Sequence, residues 1–111
     1  MNGIRVLVMA CACLAVLAPA AGAADQAASI KLFQFQPKDL LTVAGATVTW
    51  TNGDDIEHSV TAGKPGEESG EFDSGFFAKN GTYSFTFKQP GTYTYFCKRH
   101  PSMAAKVTVT P

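Results

Sequence analysis

The sequence predicts an all-β fold: a two-sheet sandwich of seven to eight strands around one core. Three observations carry that prediction. Beyond residue 29, apolar side chains recur at every second position along most of the chain. Turn residues interrupt the alternation at short intervals. No segment there shows an amphipathic helical period of useful length. A chain of 111 residues has room for one domain, and two sheets packed face to face are the economical way to bury one core.

The elements follow in order. "ASIKLFQFQP" alternates from Ile30 and stops at Pro37, which has no N–H for a strand ladder. "LLTV" is a short strand ended by Gly45. In "ATVTWT", Val48 and Trp50 face one way and Thr47, Thr49 and Thr51 the other. Asn52-Gly53-Asp54 signals a turn. "IEHSVTA" reads as the next strand, with His58 on the inward parity of Val60 and Ala62. "GKPGEESGE" reads as an exposed acidic loop, and "FDSGFFAKNG" as irregular with a short strand at Phe72. "TYSFTFK" puts Tyr83, Phe85 and Phe87 on one face; after the Pro90-Gly91 turn, "TYTYFC" does the same for Tyr93, Tyr95 and Cys97. "AAKVTVT" closes the chain with Val107 and Val109 inward.

The first 24 residues read as a secretory signal peptide. One basic residue, Arg5, precedes an apolar run from Val6 to Leu17, and Pro19 and small residues lead to an A-x-A-like cleavage site at Ala21 and Ala23. The rival reading is an uncleaved anchor, because residues 4–24 are just long enough to cross a bilayer. Cleavage leaves residues 25–111 as the domain. Cys11 and Cys13 depart with the leader, so Cys97 has no internal disulfide partner in an oxidising compartment. Such a leftover thiol points to an intermolecular bond, a reactive group or a metal ligand. The remaining charges, eight basic against nine acidic, lack the basic excess that nucleic-acid binding needs.

His58, Cys97, His100 and Met103 are the only His, Cys and Met residues left after cleavage. For His58 alone, a hydrogen-bonded core imidazole would be the simpler reading. Its company changes the weighting. One thiolate, two imidazoles and a thioether are an unusual set for structural zinc, which recruits more thiolates. They lack the carboxylates that calcium or magnesium takes. Two imidazoles and a thiolate with a weak axial thioether suit electron-transfer copper. Cys97 ends a strand, and the turn that follows can bring His100 and Met103 round to the same ion.

"GTYTYFCKRHPSM" resembles the ligand loop of the cupredoxins, the small blue copper proteins, and its Cys-x-x-His-x-x-Met spacing is most like the amicyanin, plastocyanin and pseudoazurin members. The resemblance implies a Greek-key β-sandwich with a type 1 copper. His58, Cys97 and His100 would be equatorial ligands and Met103 the axial one. It further implies an electron port at His100 beside Pro101, with Phe76 and Phe77 in the apolar docking patch. For Phe76 and Phe77, plain core packing is an equal alternative. Two departures stand out. Glu57 and Ser59 flank His58 where many members carry Pro and Asn, and Arg99 stands where Pro is common. The family Asn ties the two ligand segments together; Ser59 has a shorter side chain but could still offer its backbone N–H to the Cys97 sulfur. Glu57 and Arg99 are expected to meet beside the site.

A Cys97–His100 nucleophilic dyad is set aside because so small a domain lacks a substrate cleft and oxyanion site. "GKPGEESG" lacks the order of a phosphate-binding loop. A metal-free immunoglobulin-like domain leaves four convergent donors unexplained. The expectation is therefore a monomeric periplasmic or otherwise exported protein, not an enzyme, that shuttles single electrons between a redox donor and an acceptor. The alternative is a copper carrier that delivers the ion without a redox role. Lys98 and Arg99 beside the port would favour a partner with negative charge there.

Overall fold

The computed structural model describes residues 25–111; the leader reading falls outside the described residues. Nine strands follow one another: β1 Gln26–Lys31, β2 Gln34–Gln36, β3 Asp39–Val43, β4 Ala46–Asn52, β5 Thr61–Lys64, β6 Glu67–Asp73, β7 Thr82–Phe87, β8 Gly91–Phe96 and β9 Ala104–Thr110. They form two mixed sheets, ordered β2-β1-β4-β7 and β3-β9-β8-β5-β6. In each sheet one parallel pair, β1 with β4 and β3 with β9, joins antiparallel neighbours.

The alternation seen in the sequence becomes burial. Along β4, Ala46, Val48, Trp50 and Asn52 are buried and the threonines between them are not. On the outer face of that sheet Thr47 pairs with Thr86 and Thr49 with Ser84 through 2.7 Å hydroxyl bonds, cross-strand pairs that favour this register. From the facing sheet, Leu40, Ala105, Val107 and Val109 point inward. Trp50 lies at the centre with Tyr95, Phe72, Tyr83 and Phe87 round it at ring separations of 5.4–6.4 Å. Removing side chains of this size from water contributes about 1.5–3 kcal/mol each.

Three segments differ from the sequence expectation, and together they give nine strands rather than seven or eight. The first predicted strand is a hairpin, β1 and β2, which turns at Leu32-Phe33. The acidic stretch taken for a loop is the β5–β6 hairpin. Gly63 makes it possible: its φ is +107°, and a Cβ there would sit 2.4 Å from the Glu67 carbonyl. Finally, "IEHS" is not strand. His58 forms only an isolated antiparallel bridge with Phe77.

Tyr95 carries the main polar contact of the core: its hydroxyl accepts a 3.2 Å hydrogen bond from Trp50 Nε1. Burial pushes that hydroxyl up to about 12; the Trp50 bond opposes the rise and the charge of Asp39 adds to it. A group that holds its proton more tightly when folded stabilises the protein below its unfolded pKa near 10 and loses that contribution as pH climbs to about 12. The gap corresponds to roughly 3 kcal/mol. Tyr95→Phe leaves the Trp50 N–H unpaired and should cost about 1–3 kcal/mol near neutrality. Denaturant melts at stepped pH should show the difference from wild type closing between those two values. A constant difference would mean that Tyr95 does not set the alkaline limit.

Candidate metal centre

Two pieces of backbone build the centre, and neither is regular strand. The first leaves β4 at Asn52, which is fully buried. Asn52 Nδ2 donates to the carbonyls of Ile56 (2.9 Å) and Phe77 (3.0 Å), and its Oδ1 accepts the N–H of Asp54. One side chain thus shapes the 53–57 turn. Backbone bonds exchanged between His58 and Phe77, at 3.0 and 3.3 Å, then fix His58. The second piece leaves β8 at Cys97. Its N–H donates to the Met103 carbonyl, His100 N–H to the Cys97 carbonyl, and Met103 N–H to the His100 carbonyl. These three bonds close the 97–103 loop on itself.

The donors converge. Among the described residues, His58, Cys97 and His100 place their ligand atoms within 4.8 Å of one another. Cys97 Sγ is 3.6 Å from His58 Nδ1 and 3.9 Å from His100 Nδ1. With metal bonds of about 2.0–2.3 Å, nitrogen and sulfur at two corners of a trigonal plane stand about 3.8 Å apart. The three donors therefore fit one first-row metal ion without rearrangement. His58 and Cys97 are fully buried and Met103 is 5% exposed, at the end of the same loop; His100 alone is partly open to solvent. Cys97 is a free thiol, and its burial makes alkylation of metal-free protein depend on loop opening.

Asp54 is a site residue that the sequence reading took for a turn residue. Its Oδ2 lies 2.9 Å from His58 Nε2. The same carboxylate accepts the N–H groups of Leu32 at Oδ1 (2.8 Å) and Phe33 at Oδ2 (2.9 Å). Burial pushes the carboxyl up, but the bonds from Phe33, His58 and Leu32 outweigh it and hold the group below the ordinary carboxylate range. An acceptor on Nε2 places the ring proton there and leaves the Nδ1 lone pair facing the sulfur. Phe33 was also missed. Its ring meets His100 edge-on at 5.0 Å and His58 at 5.6 Å. One signal was available: Ile30 and Phe35 are both inward yet five residues apart, so strict alternation had to fail between them.

Ser59 joins the two pieces. Its N–H points at Cys97 Sγ (3.4 Å), and its hydroxyl accepts the N–H of Lys98 (2.9 Å) while also bonding Thr61 Oγ1 (2.9 Å). The short side chain thus reaches across to the ligand loop. The charge expectation does not survive in its simple form. Lys98 is ion-paired with Asp73 and stands 3.8 Å from Glu68, and Arg99 lies 3.9 Å from Glu57. Each cation therefore has an acidic neighbour within the chain. Pro101 is exposed and Phe76 is 51% exposed. Phe77, the next residue, packs against the core.

Removing the Ser59 hydroxyl tests the joint. Ser59→Ala leaves the Lys98 N–H without its acceptor and should cost about 1–2 kcal/mol in metal-free protein. The Lys98 amide should exchange with solvent faster than in wild type. Unchanged stability and unchanged exchange would show that the hydroxyl is not the tie.

The sequence and fold match known proteins. The family model of copper binding proteins, plastocyanin/azurin family, matches residues 22–110. Amicyanin-alpha of Methylorubrum extorquens is 40% identical over 81 residues, 72% of this chain and 67% of that protein. Amicyanin of Paracoccus versutus is 35% identical over 82 residues, 72% of this chain and 61% of that protein. The chain thus spans roughly two thirds of the length of these relatives. A purple cupredoxin from Nitrosopumilus maritimus superposes with a TM-score of 0.72 at 27% identity, over 78% of this chain and 100% of that one. Sequence, architecture and donor set agree, and the chain belongs to the plastocyanin/azurin family of copper binding proteins.

Proposed function

We propose that the protein is an exported one-electron carrier of the periplasm or of the outer face of the membrane, with residues 1–24 removed and residues 25–111 as the working domain. Its copper would be held by His58, Cys97 and His100, with the Met103 thioether as a further, weaker donor. The observation that carries this reading is the pattern of enclosure: two donors fully buried, a third nearly so, and one imidazole partly open to solvent. Copper bound there supplies a one-electron couple between Cu(I) and Cu(II). The chain supplies rigidity. The closed 97–103 loop and the His58–Phe77 bridge hold the donors, so little moves when charge changes. His100 is the exit for the electron, with Phe33 against its ring and Pro101 beside it in sequence; Phe76 extends the apolar docking face. Redox partners would dock there briefly through apolar contact.

Cu(II) added to the mature protein should produce one intense visible absorption band at one equivalent. Cys97→Ser should abolish the band while the fold is kept. A colourless wild-type protein would overturn the reading. Electron self-exchange, measured by NMR line broadening in mixtures of oxidised and reduced protein, separates a shuttle from a copper carrier. A shuttle exchanges quickly, and with Lys98 and Arg99 already paired its rate should vary little with salt. Slow exchange would favour the carrier.

A further inference from the structure

We propose that Asp54 is a positioning residue that couples the imidazole of His58 to the Leu32-Phe33 turn, so that one carboxylate sets both the copper ligand and the aromatic lid over it. The inference rests on the copper reading of His58, and it goes beyond that reading by naming what tunes the ligand. Three donors meet on the one side chain: His58 Nε2, Leu32 N–H and Phe33 N–H. His58 is fully buried, so no solvent competes for its second ring nitrogen.

The turn explains why a clamp is needed. Leu32 and Phe33 both lie in the left-handed region, at φ 53° and 60°. A hairpin turn of that shape normally uses Asn-Gly or Asp-Gly, and bulky side chains stay there only when their surroundings over-determine them. Leu32 is 73% exposed and Phe33 50% exposed, so burial of their side chains is not what holds them. The Asp54 carboxylate holds the backbone instead. The result is a phenyl ring fixed edge-on to both imidazoles.

A carboxylate on the far nitrogen makes an imidazole a stronger donor to its metal. That favours Cu(II) over Cu(I). Asp54→Asn exchanges an ionised acceptor for a neutral amide that can serve fewer of the three N–H groups. Copper-loaded D54N should therefore have a higher reduction potential by voltammetry than wild type. In metal-free D54N the Leu32 and Phe33 amides should shift and exchange faster. An unchanged potential with unchanged amides would overturn the proposal.

A second measurement needs no variant. In metal-free wild-type protein, nitrogen-edited NMR should show a slowly exchanging His58 Nε2–H. A ring proton on Nδ1, or none protected, would overturn the assignment even if D54N failed to fold. Because this arm contains no copper, it stands apart from the visible-band experiment. Failure to bind copper would remove the metal reading, while a missing Nε2–H would remove the Asp54 coupling.

Discussion

The centre depends on residues 52–59 and 97–103 being locked together, and Ser59 is where they meet. Its amide faces the thiol and its hydroxyl receives the amide of the next residue in the ligand loop. Sheet hydrogen bonding cannot do this, because neither piece is paired strand at that point. Behind Ser59 the lock runs on through Thr61 to Asp73, which is also the partner of Lys98. Burial pushes the Asp73 carboxyl up, but its bonds to Lys98, Gly75 and Thr61 prevail and hold it below the usual range. Ser59, Thr61, Asp73 and Lys98 thus form a closed polar circuit behind the sulfur.

Much of this was legible in the sequence, for a definite reason. Period-two alternation survives wherever a strand has one wet and one dry face, so β4, β7, β8 and β9 could be read directly. The ligand loop was legible because donor type and spacing together restrict the chemistry. What could not be read lay where backbone leaves regular geometry. Asp54 sits four residues before His58 in a segment without helical periodicity, so no spacing rule relates their side chains. Leu32-Phe33 looks like strand because neither residue is a usual choice for positive φ. The ion pairs of Lys98 could not be seen at all. They come from Glu68, in a stretch whose composition suggested a solvated loop, and from Asp73, in one that read as largely irregular.

The acidic neighbours of Lys98 and Arg99 bear on the surface beside the site. Basic residues next to an exposed ligand invite a reading in terms of charge steering. Exposed pairs such as Arg99 with Glu57 contribute only about 0–1 kcal/mol to stability, yet they quiet the local field. Beside the open imidazole stands the Phe33 ring, whose backbone N–H is bonded to Asp54.

β6 closes one side of the five-stranded sheet, and among the described residues no strand lies beside its far edge. Open edges of this kind can recruit a second molecule by continuing the ladder. Here Glu67, Glu68 and Glu71 are all exposed along that strand, and the register with β5 is irregular between Thr61 and Gly63. Two such edges brought together would set carboxylates against carboxylates. An edge lined in this way carries the charge repulsion that works against edge-to-edge pairing.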